Sequence, residues 1–315
     1  MAVLTSLRNR IRGGTGNAGK GAANLKRRTL VGAPLWATVL VAIAILTVLY
    51  WGLLGWLMSD TSVDLSLRPT PEALPPGGSV TAAYAATLTE EQLGRGGWTP
   101  NDSILAPTAL LNEMPAFQEG TISVVAATVQ ALADITSNSD LADAAEDYAV
   151  EPARGFFNSS FPFIGGSAGA HYRSGAETLI AYNNELATSE REHPQGARQA
   201  RALLEAVSDA MRPAMDQIDL RIRGEESGAS TAELHARVRG EAYAAALMLR
   251  GIRSDFDPVL REQQLGSAIV EAIEQLDRVA ETDPLIVSES DLTSQGYFLR
   301  SAQESIARMS AGLAG

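Results

Sequence analysis

Hydrophobic and polar positions divide this chain into three regimes. Residues 31–58 contain no charged side chain and are rich in Leu, Val, Ile and Ala. As an α-helix such a run reaches about 42 Å, against a hydrocarbon core of about 30 Å, so the pattern predicts a transmembrane helix. Trp36 lies near one margin and Tyr50, Trp51 and Trp56 near the other, where amphipathic rings suit the two water–lipid interfaces. Residues 59–78 are punctuated by Pro69, Pro71, Pro75, Pro76, Gly77 and Gly78 and read as an extended stalk that adds nothing to a core. From residue 79 onward apolar residues recur at spacings of three and four, the period of helices with one buried face.

Ser79 has the chemistry of an N-cap for a helix that Gly94, Gly96 and Gly97 end. Residues 97–120 then interrupt the helical pattern with Trp98, Asn101, Asp102, Asn112, Gln118 and three prolines. Pro107 suits the start of a short helix, and Pro115 the start of the next, predicted over 115–137. The stretch reads as a sharp corner, with Trp98, Asn101, Asp102, Asn112, Pro115 and Gln118 as its candidate structural or binding residues. Further helices are expected over 141–151, 171–192 and 194–223, the last broken at Pro213. Ser230 and Glu233 make a capping box for a helix to about residue 254. Asp257 and Pro258 start one to about 281, and the final helix covers about 292–311. No strand series and no constant repeat is visible. The fold class is all-α: one N-terminal transmembrane helix followed by a multi-helix bundle.

Charge orients this layout. Residues 1–30 hold seven bases (Arg8, Arg10, Arg12, Lys20, Lys26, Arg27 and Arg28) and no acid, which keeps that end in the cytoplasm under the positive-inside rule. The apolar run is long for a cleaved signal peptide, so it reads as a signal-anchor. The expected organisation is a basic cytoplasmic tail at 1–30, an anchor at 31–58, a stalk at 59–78 and a periplasmic domain at 79–315. All 37 acids and only 18 of the 25 bases follow the anchor, giving that part a net charge of −19. Such a balance disfavours nucleic acid as a partner.

Little chemistry stands out. The chain has no cysteine, which excludes disulfides and thiol catalysis. His171, His193 and His235 have no metal-type spacing, and no Walker loop or G-x-S-x-G elbow occurs, so no cofactor or metal is expected. Carboxylate pairs such as Glu90–Glu91 and Asp140/Asp143 read as solvent-facing. Glu233–Arg237 and Arg237–Glu241 have the spacing of ion pairs on a solvated helix face, while Glu241 beside Tyr243 is also a candidate inward-pointing polar anchor. One of Asn183 and Asn184, both mid-helix, is expected to point inward. The loop FFNSSFPFIGGSAG, 156–169, offers Phe156, Phe157, Phe161 and Phe163 as a candidate contact surface.

Five segments taken together resemble a known family. They are GWTPND at 97–102, LLNEMPAFQEG at 110–120, YRSGAETLIAYNNELA at 172–187, RGEAYAAALMLRGIRSDF at 239–256 and LTSQGYFLRSA at 292–302. With the single apolar anchor before them, they are similar to the bacterial membrane family called domain of unknown function 2333. Ala244 to Ala246 stand where that family carries more aromatic residues. The resemblance implies a membrane-anchored, mostly helical envelope protein and brings no activity or catalytic residue with it.

The expected function is therefore an envelope scaffold or interaction protein of the bacterial inner membrane, with a protein partner or self-association. A periplasmic binding module for an apolar or glycan ligand, lined by Trp98 and the phenylalanine loop, is one alternative. A hydrolase of envelope polymer acting through two carboxylates is another.

Overall fold

A computed structural model describes residues 35–54, 61–102, 112–155, 166–188, 194–225, 228–284 and 286–314. They are predominantly helical, and no strand occurs among them. The chain divides into two units, Met1–Leu53 and Leu54–Gly315. In the first, α1 (Leu35–Val48) passes directly into a π-helical stretch, Leu49–Leu54. The remainder of the expected 31–58 span lies outside the described residues. No helix among the described residues is long and apolar enough to cross a membrane.

The second unit is a helical bundle, as the apolar spacing predicts. Its elements are α2 (Val80–Gly94), α3 (Glu113–Thr136), α4 (Ser139–Tyr148), α5 (Ala168–Thr188), α6 (Ala197–Ala210), α7 (Arg212–Ile222), α8 (Thr231–Asp255), α9 (Asp257–Glu262), α10 (Gly266–Glu281) and α11 (Glu289–Gly312). The centre is α8, which packs against α2, α3 and α10. Residues 242–249 of α8 are all fully buried, so this helix has no solvated stripe along that stretch. The α3–α8 crossing is close because both helices place a glycine there. A Cβ on Gly120 would stand 2.2 Å from the Arg237 carbonyl oxygen, and one on Gly240 2.1 Å from that of Phe117. Both obstacles are backbone and cannot swing aside.

Local signals explain most of the boundaries. Ser230 and Glu233 form the reciprocal capping box at the start of α8. Pro213 falls in the first turn of α7 and separates it from α6, since a ring there lacks the N–H that a continuous helix needs. Pro115 sits in the first turn of α3, where no intrahelical N–H bond is lost. Asn138 caps α4, accepting from the Asp140 and Leu141 amides.

Three expectations are corrected. The helix after Pro258 is not continuous to 281. It ends at Glu262, and Gln264 turns the chain with φ of 57° before α10 begins. The segment after the apolar helix does not stand clear of the bundle. Val63, Leu65 and Leu67 pack against the core, and Ala73 is fully buried. Arg237 and Glu241 do not pair on a solvated face: Glu241 is buried, and Arg237 reaches across to Glu119 on α3.

Candidate functional site

Two glycines with positive φ, Gly96 and Gly97, turn the chain at the end of α2 and lead into a 3₁₀ turn, Thr99–Asn101. The turn delivers Trp98 inward. Its ring is buried, its Nε1–H donates to the Pro152 carbonyl at 2.7 Å, and it meets Tyr172 edge-on with centroids 4.8 Å apart. Tyr172 stacks in turn on Tyr148 at 5.9 Å. The Tyr172 hydroxyl donates to the Val150 carbonyl at 2.7 Å, and the Tyr148 hydroxyl shares a bond with Thr89 at 2.7 Å. Burial drives both phenol pKa values upward, so the two rings are neutral packing groups.

Gln118, one turn into α3 and fully buried, closes the corner. Its Oε1 accepts from the Thr99 amide at 2.9 Å and the Thr99 hydroxyl at 2.7 Å. Its Nε2 donates to the Gln92 and Gly97 carbonyls, each at 3.0 Å. The side chain thus spends its whole hydrogen-bonding capacity on backbone and hydroxyl groups that the break between α2 and α3 would otherwise strand. Asn101 Nδ2 donates to the Arg154 carbonyl at 3.0 Å.

The remaining corner residues go elsewhere. Asp102 is exposed after the 3₁₀ turn. Asn112 and Pro115 line an open groove of about 510 Å³ together with Glu119, Gln217, Glu233 and Arg237. Its walls carry one ion pair, Arg237–Glu119, and a Glu233 carboxylate held below its usual range by the Ser230 amide. The expected short helix behind Pro107 and the four phenylalanines, Phe156, Phe157, Phe161 and Phe163, lie outside the described residues.

Several polar side chains are built into the bundle itself. Asn183 is the inward one of its pair. It accepts from the Ser79 amide at 2.9 Å and donates to the Ala73 and Ser79 carbonyls at 2.8 and 3.0 Å. Asp255, at the end of α8, caps α2 from outside. It takes the Val80 and Thr81 amides at 2.7 and 2.9 Å and the Ser79 hydroxyl at 2.8 Å. Sequence reading found Ser79 but missed Asp255, a contact between residues 176 positions apart with no local signature. Glu91 is not solvent-facing as expected: it is half-buried, binds Arg95 at 2.6 Å and accepts from Tyr243 at 3.0 Å.

Three buried side-chain atoms on α8 lack partners: Glu241 Oε2, His235 Nε2 and Arg250 Nη1. Glu241 Oε2 has none, and burial holds this carboxyl well above the usual range. His235 Nε2 has none either, and burial first, then the Arg239 charge, depress its pKa to about 4. His171 Nδ1 lies 2.7 Å from Asp147. Among the described residues no group of three or more His, Asp or Glu side chains could hold a metal ion. The chemistry on view is capping, carbonyl binding and aromatic packing.

A family model described as "Uncharacterized protein conserved in bacteria (DUF2333)" matches residues 24–212. The matched range takes in α1, the whole Trp98 corner and Asn183. No curated protein and no solved structure matches the chain.

Proposed function

The chain belongs to this family of bacterial proteins, and on that premise we propose a single-pass inner-membrane protein that works by holding a protein partner. In this reading residues 1–30 remain in the cytoplasm and the acidic helical domain stands in the periplasm. Support for the anchor comes from α1 and its π extension, an uncharged run whose large apolar side chains face outward: Trp36 is 66% exposed, Leu46 65% and Val48 69%. A lipid environment removes the cost of that display. The observation that carries the scaffold reading is how the polar groups of the corner are used. Trp98, Asn101 and Gln118 are all committed to backbone carbonyls, amides or a hydroxyl of the same domain. A site built to bind a small molecule leaves some of its polar groups free to converge on it.

The test has two arms. A periplasm-dependent reporter fused after Ser59 is active, and a cytoplasm-dependent one is not; the reverse pattern overturns the topology. A photo-crosslinking residue at Gln217, on the open groove, and another at Tyr297, an exposed ring on α11, capture a discrete protein in intact cells. If instead the purified full chain cleaves envelope polymer and Glu119→Gln abolishes the cleavage, the carboxylate-hydrolase reading replaces this one.

A further inference from the structure

We propose that residues 61–67 form a two-position latch on the bundle, held shut by Arg239, Tyr243 and Arg95, whose opening lengthens the tether between α1 and the bundle. The lengthening rests on the reading of α1 as an anchor; the latch does not.

The closed position is fully drawn in the structure. Arg239 Nη2 donates to the Thr61 carbonyl at 3.3 Å, and Nη1 to the Thr61 hydroxyl at 3.4 Å. Arg95 Nη1 donates to the Ser62 carbonyl. Tyr243, one turn beyond Arg239 on α8, donates to the Asp64 carbonyl at 3.2 Å. Main-chain oxygens take most of these bonds, so the bundle grips the backbone of the segment. Val63, Leu65 and Leu67 add apolar contact but are each only half-buried.

What makes the grip releasable is that each of the three side chains has a second partner inside the bundle. Tyr243 has one proton and two acceptors, Asp64 and the Glu91 carboxylate at 3.0 Å. Arg95 keeps Glu91 through Nη2 at 2.6 Å. Arg239 keeps the Ala280 carbonyl at 3.2 Å and Asp283 at 2.7 Å. Departure of the segment therefore leaves each side chain a partner in the bundle, while Arg239 Nη2 and Arg95 Nη1 exchange the Thr61 and Ser62 carbonyls for water. It also admits water to the Arg239 guanidinium, which is buried when the latch is shut; burial lowers its pKa and Asp283 opposes that. The release has a built-in stop. Ala73 is fully buried, and Asn183 holds its carbonyl, so the chain from Ala73 onward stays with the bundle. Opening frees residues 61–72, which at full extension add about 40 Å of tether.

Asp283 controls the balance. It is 62% exposed and binds Arg239 Nη1, supplying the charge that lets Arg239 remain buried against Thr61. Asp283→Asn thus favours the open position, where water solvates the guanidinium instead.

The cysteine-free chain permits a direct test on the full-length protein. Single cysteines are placed at Leu65 (in the latch), Ser66 (exposed beside it) and Leu141 (fully buried in the bundle), and maleimide labelling rates are compared. Leu65→Cys labels slowly relative to Ser66→Cys. Adding Asp283→Asn raises the Leu65→Cys rate about tenfold or more, the scale expected on removing the partner of a buried charge, while Leu141→Cys stays protected. Hydrogen exchange over 61–67 in the cysteine-free protein rises in parallel, which guards against release by the cysteine itself. An unchanged Leu65→Cys rate and unchanged exchange overturn the latch. So does a rise shared by Leu141→Cys, which marks global unfolding. Neither readout depends on the side of the membrane, so a failed topology reporter and a failed latch are told apart.

Discussion

The Trp98 corner and the 61–67 segment are both irregular stretches held to the bundle by side-chain-to-backbone bonds, and they differ in how deeply the held residues are buried: Trp98 and Thr99 are buried, whereas residues 61–67 are half-buried or exposed. At the corner, the Trp98 indole has the Pro152 carbonyl, and each end of the Gln118 amide has its own pair of groups beside it. At the segment, Tyr243, Arg95 and Arg239 each bind both the segment and the bundle. A buried group left without its partner bears the full desolvation cost, whereas a group that water can reach does not. Connection order in the chain does not predict this; burial does. The corner is a lock, and the segment is a contact that the bundle survives losing.

Substitutions separate the two regions by size of effect. Trp98→Ala removes a buried ring, its contact with Tyr172 and its bond to Pro152, and should cost the domain about 3–5 kcal/mol in chemical denaturation. A loss below about 1 kcal/mol would show that the corner is not a lock. Gln118→Ala leaves the Thr99 amide and the Gln92 and Gly97 carbonyls without this partner, and should cost roughly 2–4 kcal/mol. Leu65→Ala, in the half-buried segment, should cost about 1 kcal/mol or less by the same measurement, since only part of the side chain leaves water. If Leu65→Ala matched Gln118→Ala, the distinction drawn between the two regions would collapse.

The roles of Trp98, Asn101 and Gln118 at the corner were legible in sequence because their setting is local and unusual. Prolines at 107 and 115, an Asn-Asp pair and a mid-helix glutamine have no place in a regular amphipathic helix, so they announce a break and the groups that must repair it. Asn183 announced itself the same way. The segment was misread because Pro69, Pro71, Pro75 and Pro76 suggested a free stalk, and that signal outweighed Val63, Leu65 and Leu67, alternating apolar residues that mark one buried side. Arg239 and Asp255 were missed for a different reason. Their partners lie far along the chain, Thr61 178 positions and Ser79 176 positions away, and spacing rules see only neighbours. The break at Gln264 has no composition signal, because glutamine rarely adopts positive φ.

Glu241 extends the comparison to its third case, a buried polar atom with no partner. It lies on α8 between Arg239 and Tyr243, and two residues turn a helix by about 200°, so it leaves the side those two share. Its amide nitrogen would stand 3.2 Å from a Cβ on Gly120 of α3, which places this part of α8 at the close α3–α8 crossing. The carboxyl is buried, Oε2 has no partner, and burial raises its pKa well above the ordinary value, with Arg237 opposing weakly. The folded state thus holds a proton that the unfolded chain releases near its ordinary carboxylate pKa. Stability contributed by that proton is complete below the unfolded value and is lost as pH rises towards the folded one. Glu241→Gln keeps the shape and removes the titration. The variant should melt above the parent at pH 7, with the gap growing as pH rises above the ordinary carboxylate value of 4.5 and closing as pH falls towards it. A gap that stays constant with pH would mean that Glu241 does not titrate between the two states, and that its orphan oxygen finds a partner in solution.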